Sequence, residues 1–158
     1  MAFGGLAYEA WPRRQDQTRR VILLKPGTYM NNSGQAVREL ASFFKADPSQ
    51  LLVVLDDLAL EPGQLRMRPE GSAGGQKGLA DVLARLGTMQ VPRLRIGIGA
   101  APGRMDPADY VLGQVTQAQF EVLGPALTRA AEAVEDWLFE PIQAAMEKYN
   151  RKLEDPAD

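Results

Sequence analysis

The sequence has no cysteine and no histidine among its 158 residues. Without cysteine there is no disulfide framework, no thiolate zinc site and no thiol nucleophile. Without histidine the chain lacks the commonest neutral-pH general base and the commonest zinc ligand. Long hydrophobic runs are missing too. The longest, Val21–Leu24 and Leu51–Leu55, fall far short of the ~20 apolar residues that a spanning helix needs. The first residues show no charged segment followed by an apolar one, so nothing reads as a secretory signal. These absences set two expectations: a cytoplasmic location and no membrane partner.

What remains is an ordinary globular composition. With 45% hydrophobic and 24% charged residues, a chain of this length is expected to form one domain that buries roughly two-thirds of its unfolded surface. The formal net charge of −2 hides an asymmetry. Residues 1–104 hold 14 Lys/Arg against 9 Asp/Glu, whereas residues 105–158 hold 4 against 11. An acidic total argues against indiscriminate polyanion binding, yet the first two-thirds can present a local basic surface.

Hydrophobic periodicity orders the elements. Val21–Leu24 reads as a buried strand stopped by Pro26-Gly27. Val37, Leu40, Ala41 and Phe44 fall on one face of a helix over 33–45, with Asn31, Asn32 and Ser33 placed to cap it. Leu51–Leu55 reads as a second buried strand running into Asp56-Asp57 and a Glu61-Pro62-Gly63 turn. Gln64–Arg68 and Arg93–Gly99 alternate as half-buried strands, with Arg66, Arg68, Arg93 and Arg95 opposite the apolar side chains. Between them, Leu79, Val82, Leu83 and Leu86 define a helix ended by Gly87. Helical patterns follow Thr116, broken at Gly124-Pro125, and a last one runs from Ile142 to Leu153. The two strand–helix–strand stretches predict right-handed parallel crossovers, and the short turn after Leu55 predicts an antiparallel pair. The expected fold class is α/β: a single domain with a mixed β-sheet flanked by helices.

Three constellations carry chemistry. Gly71–Gly78, with Lys77, can bring backbone N–H groups and the start of a helix to a phosphate, although Gln76 and Gly78 break the P-loop pattern. Asp56 and Asp57 end a buried strand with side chains on opposite faces, an arrangement open to acid–base work or to plain solvation. The four arginines on neighbouring strands can form one basic stripe for phosphates, or a solvated sheet face. Gly97-Ile98-Gly99 is a weak dinucleotide signal, because Pro102 stands where a helix should open.

Taken together, four stretches resemble the bacterial-type peptidyl-tRNA hydrolase family. Leu24-Lys25-Pro26-Gly27-Thr28-Tyr29-Met30-Asn31-Asn32-Ser33-Gly34 is similar to its P-x-T-(Phe/Tyr)-M-N-x-S-G segment. Asp56-Asp57-Leu58-Ala59-Leu60-Glu61-Pro62-Gly63 is similar to its D-(Asp/Glu)-L-x-L-x-x-G turn. Gly71–Leu79 resembles its G-G-H-N-G-L loop. Arg93–Gly99, Pro102-Gly103 and Val111-Leu112-Gly113 resemble its remaining strand and loop.

The resemblance implies a peptidyl-tRNA hydrolase-like fold and a metal-free carboxylic-ester hydrolase that frees tRNA from its peptide, acting as a monomer. It implies a histidine that activates water and a carboxylate that orients it, matched here by Asp56. It assigns substrate contacts to Tyr29 and Asn31, and tRNA contacts to Arg66, Arg68 and Arg95. Lys77 stands where the family has asparagine, and Gln76 where it has histidine. The family's N-terminal strand, helix and catalytic His-Asn pair have no counterpart in the sequence. The domain is therefore expected over 1–153, with one strand position unfilled or rearranged and 154–158 a frayed tail. Hydrolysis is expected to be impaired. The alternative is a non-catalytic RNA-binding relative.

Overall fold

The computed structural model describes residues 3–29 and 32–152. Asn31 and the expected tail at 154–158 lie outside these. The backbone gathers into two compact units, one drawn from residues up to 53 together with 69–92, the other from 54–68 together with 93 onward.

In the first unit, β1 (Gly5–Ala10) and β4 (Val21–Pro26) form an antiparallel hairpin with Tyr8 opposite Leu23. Two short strands, β2 (Arg13–Arg14) and β3 (Gln17–Thr18), close its far end around Gln15, which has φ 52°. The run Val21–Leu24 is a strand as expected but not a buried one, since Leu23 is 52% exposed. Helix α1 (Ser33–Phe44) follows the periodicity, burying Ala36, Leu40 and Ala41. Phe43 and Phe44 meet the buried Phe3 with ring centroids 5.4 and 6.1 Å away. Arg20 lies 5.2 Å over the Phe44 ring and pairs with Glu9. Helix α2 (Lys77–Leu86) buries Leu79, Val82 and Leu83 and ends at Gly87, whose φ of 69° a side chain would disfavour.

The start of α1 departs from expectation. Asn32 occupies the cap position without a side-chain cap bond. Instead the Gly34 N–H donates to Asp81 Oδ2 of α2 at 2.8 Å. A Cβ at Gly34 would lie 2.4 Å from the Asp81 carbonyl oxygen, so only glycine permits this crossing of the two helices.

In the second unit the sheet order is β5–β7–β6, from β5 (Val53–Asp57), β6 (Leu65–Arg68) and β7 (Arg93–Gly97). β6 and β7 are antiparallel, with Leu65 opposite Ile96 and Met67 opposite Leu94. β5 runs parallel to β7, because the Val53 N–H reaches the Pro92 carbonyl while the Ile98 N–H reaches that of Asp57. The sheet is mixed, as the sequence implied, but its pairings correct the details. The stretch β6–α2–β7 makes an antiparallel pair rather than a crossover, β5 is not beside β6, and β4 pairs with β1 rather than with β5. Turn length favoured β5 next to β6; β7 intervenes because Leu94 and Ile96 complete an apolar face with Leu65 and Met67.

Three helices complete this unit. The short α3 (Pro107–Leu112) is capped by Asp106, which accepts the Ala108 N–H. Helix α4 (Gln117–Phe139) starts at a Thr116–Gln119 capping box and runs through Pro125, where a break was expected. Its buried stripe of Ala126, Ala130 and Ala133 keeps the helix continuous past the one backbone bond that proline removes. Helix α5 (Ile142–Tyr149) packs against α4 and β6. Asp136 Oδ2 accepts both the Tyr149 hydroxyl at 2.8 Å and the Lys148 ammonium at 2.9 Å. The hydrogen bond to Asp136 raises the Lys148 ammonium well above its ordinary value. Burial is the main cause of a raised Tyr149 phenol.

β6 is an edge strand of its sheet, and Met67 would leave an N–H and a carbonyl unpaired there. Asn150, just past α5, fills that gap: its Oδ1 accepts from Met67 N at 2.6 Å and its Nδ2 donates to Met67 O at 3.0 Å. The side-chain amide replaces one residue of a missing strand. Asn150→Ala should lower stability by about 2 kcal/mol, since two buried backbone groups lose their partners; the shift in urea midpoint measures it. A raised phenol contributes stability that is complete below the ordinary tyrosine range and is lost as pH rises through the raised value. Tyr149→Phe should therefore remove the most alkaline component of phenolate absorbance and flatten the loss of stability at high pH.

Candidate functional site

The predicted site residues divide between the two units. Tyr29 and Lys77 belong to the first, and Asp56, Arg66, Arg68 and Arg95 to the second.

In the second unit the site is built at the end of β5. Asp57 is consumed by the structure: its Oδ1 accepts the Ala59 N–H at 2.8 Å, and its Oδ2 pairs with the Arg95 guanidinium. Strand alternation turns Asp56 to the other face. There it is half-buried, and among the described residues nothing forms a hydrogen bond or ion pair with its carboxylate. The two acids thus separate into one that is tied into the fold and one that has no such partner among the described residues.

The arginines stand in register, Arg66 opposite Arg95 and Arg68 opposite Arg93. Like charges directly opposite each other repel, and Asp57 offsets the charge of Arg95. Their exposure is unequal. Arg68 is exposed, Arg66 and Arg95 are intermediate, and Arg93 is only 3% exposed. The expectation of a uniformly solvated stripe is therefore corrected at Arg93, which β7 carries inside the unit as the middle strand of its sheet. Arg66 Nε is buried with no hydrogen-bond acceptor among the described residues. A guanidinium donor held dry and unfilled beside a second guanidinium favours an anion at this face.

The loop that follows β7 is fixed tightly. Gly97 exchanges hydrogen bonds with the β5–β6 turn, donating to Gln64 O at 2.8 Å and accepting from Gly63 N at 3.0 Å. A Cβ on Gly97 would lie 2.0 Å from the Glu61 carbonyl oxygen. Tyr110 OH donates to Ile98 O at 2.9 Å and accepts from Gln119 at 3.2 Å, an anchor that the sequence analysis missed. The pattern Gly97-Ile98-Gly99 therefore reflects close backbone approach, not a dinucleotide fingerprint.

In the first unit Tyr29 is 86% exposed, and its carbonyl accepts the Asn32 N–H at 2.8 Å. The glycine loop carries Gly71, Gly74 and Gly75 at φ 138°, 59° and 85°. Lys77 is exposed at the first position of α2. Gln76 caps that helix by accepting the Leu79 N–H at 2.7 Å, which occupies one of the donors an anion would use. Among the described residues, no three Asp or Glu gather as a metal site, and no helix is long and apolar enough to cross a membrane.

Gly97→Ala should displace the β5–β6 turn and cost about 1–3 kcal/mol of strain. Thermal unfolding measures the loss, and the Asp56 carboxyl resonance should move with the turn.

Three comparisons bear on these residues. The family described as "Peptidyl-tRNA hydrolase" matches residues 6–156. A protein of that name from Desulforamulus reducens is 48% identical over 135 residues, covering 85% of this chain and 65% of its own length. Another from Chloroflexus aurantiacus is 51% identical over 133 residues, covering 84% and 71%. The chain thus spans about two-thirds of the length of these relatives. The crystal structure of peptidyl-tRNA hydrolase from Acinetobacter baumannii superposes with a TM-score of 0.83 at 30% identity, covering 94% of this chain and 73% of that one.

Proposed function

The chain belongs to the peptidyl-tRNA hydrolase family, and from that premise we propose that it binds peptidyl-tRNA in the cytoplasm as a monomer and directs water, without a metal, onto the ester between the peptide and the tRNA 3′ ribose. Water adds to the ester carbonyl carbon as a base takes its proton. The ribose oxygen then leaves with a proton, releasing a free peptide acid and tRNA. In this reading Asp56 is the carboxylate of the reaction. Tyr29 and Asn31 meet the peptide and the acceptor end, and Lys77, Arg66, Arg68 and Arg95 meet phosphates.

The observation that carries the proposal is the separation of roles at the end of β5. Asp57 is held by Arg95 and its own turn, while Asp56 has no such partner among the described residues. On the other face of the sheet, Arg66 Nε is buried without an acceptor among the described residues, which supports a phosphate at the arginines.

The 158 residues contain no imidazole. A positioned general base is worth ~10²–10⁴-fold, so hydrolysis by these residues alone should be slower by about that factor. Added imidazole should raise the rate on N-blocked aminoacyl-tRNA, and Asp56→Asn should abolish the rise while leaving tRNA binding unchanged. An equal rise in both proteins would mean solution catalysis and remove Asp56 from the reaction. Binding without turnover, with imidazole present, would assign the chain to RNA binding alone. For the arginine face, Arg68→Ala should weaken tRNA binding and reduce its log–log salt slope by about one.

A further inference from the structure

A groove of about 560 Å³ opens between the C-terminal ends of α1 and α2, lined by Arg38, Ser42, Lys45, Asp47 and Arg85 with an apolar floor of Ala41 and Leu86. All of it lies within the first unit, on residues that no step above uses. We propose that this groove is a second RNA-contact site, which holds backbone phosphates of the bound tRNA through Arg38, Lys45 and Arg85; the inference rests on the reading of the chain as a peptidyl-tRNA binder.

The charge arithmetic favours an anion. Neither Arg38 nor Lys45 has a carboxylate partner among the described residues. Arg85 spends only its Nε on Asp81 Oδ1, at 3.2 Å, and its two terminal nitrogens remain for a ligand. The one acid in the lining, Asp47, is already engaged: Oδ1 accepts the Ser49 N–H at 2.9 Å and the Ser49 hydroxyl at 2.6 Å. Three cations therefore face two carboxylates, Asp81 at the Arg85 Nε and Asp47 turned to its own helical turn.

Basic residues near helix C-termini often do no more than offset the macrodipole. That account covers Lys45 and Arg85. It does not cover Arg38, which sits nearly two turns before the end of α1 and so beyond the last turn, where the dipole is felt. Several of the terminal carbonyls are also already taken. Ala41 O and Ser42 O accept from Ala46 and Lys45, and Leu83 O accepts from Gly87 and Thr88. A phosphate entering the groove therefore meets guanidinium and ammonium donors and few free acceptors. Ser42 adds a hydroxyl that can donate to the same oxygens. The groove is open and shallow in chemistry, with charge and no enclosed apolar cavity, which suits a backbone segment better than a buried small molecule.

The unit that carries the groove is also the basic half of the molecule. It holds nine Lys/Arg against six Asp/Glu, where the second unit holds nine against fourteen. A polyanion approaching the protein is therefore drawn to the first unit, although the net charge is negative.

The test is the salt dependence of binding by labelled, uncharged (deacylated) tRNA to the full chain. It compares the wild type, the double variant Arg38→Gln/Lys45→Gln, and Lys152→Gln, which loses an exposed partner of Glu61 in the other unit. The log–log slope should become shallower by about two in the double variant and stay at the wild-type value in Lys152→Gln. Inorganic phosphate, titrated separately, distinguishes free phosphate from RNA as the source. A double variant with the wild-type slope overturns the groove as an RNA contact and leaves the family reading standing, whether or not phosphate alone binds. A wild-type chain that shows no tRNA binding at all overturns both. Circular dichroism of the double variant keeps the result readable, because both side chains are exposed and their loss should leave the helices intact.

Discussion

The Asp57 carboxylate performs two tasks on which the second unit depends. One oxygen holds the Ala59 N–H, which turns the chain at the end of β5, and the other meets Arg95 on β7. The first bond fixes where the β5–β6 turn begins. The second ties the edge strand to the middle strand and offsets the charge of Arg95. Without that neutralisation the antiparallel pairing of Arg66 with Arg95 and Arg68 with Arg93 would set two like-charged pairs side by side. Asp57 is held by Arg95 and by its own turn, and strand alternation places its neighbour Asp56 on the opposite face. A single residue step along a strand thus separates a structural carboxylate from one that has no such partner among the described residues.

Much of this was written in the residues themselves. Alternation at Leu65, Met67, Leu94 and Ile96, and helical spacing at Leu40, Ala41, Val82 and Leu83, identified elements and inward faces because burial follows period. The resemblance to the family rested on runs such as Asp56–Gly63, where turn chemistry and site chemistry share the same residues. Sheet order was not legible, because periodicity says which face is apolar and is silent on which strand lies next. The rule that linked short turns to neighbouring strands therefore misplaced β6. Pro125 was overweighted, since a sequence shows the lost hydrogen bond but not the alanine stripe that outweighs it. Helix α3 had a readable signal in Asp106-Pro107, an N-cap followed by proline at the first helical position, and its short length concealed it.

The contacts that reasoning along the chain could not find are those that join distant segments. Asn150 and Met67 lie 83 positions apart, yet the amide closes the β6 edge as a strand residue would. Gly34 and Asp81 are 47 apart, and the missing side chain of one is what admits the backbone of the other. In each case the informative residue is polar or absent of side chain, and hydrophobic pattern assigns such positions to loops or caps. Asn32 illustrates the cost: its place and type matched a helix cap, but a carboxylate from the neighbouring helix had already taken the donor that it would have served.

The distribution of charge has a further consequence for how such a chain meets RNA. The arginine face on β6 and β7 belongs to the acidic unit, while Lys77 and the α1–α2 groove belong to the basic one. Long-range attraction scales with the summed charge of a region and falls within a Debye length of ~10 Å. It therefore acts through the first unit before any local contact forms. The second unit carries surplus carboxylates, and the buried guanidinium nitrogen there that has no acceptor among the described residues is Arg66 Nε. Capture and discrimination are then separate physical tasks. On the proposed reading, the basic unit would raise the rate of encounter with a polyanion, and the arginines of the acidic unit would retain one that presents a phosphate at the right place, because elsewhere on that unit the same polyanion meets surplus carboxylates.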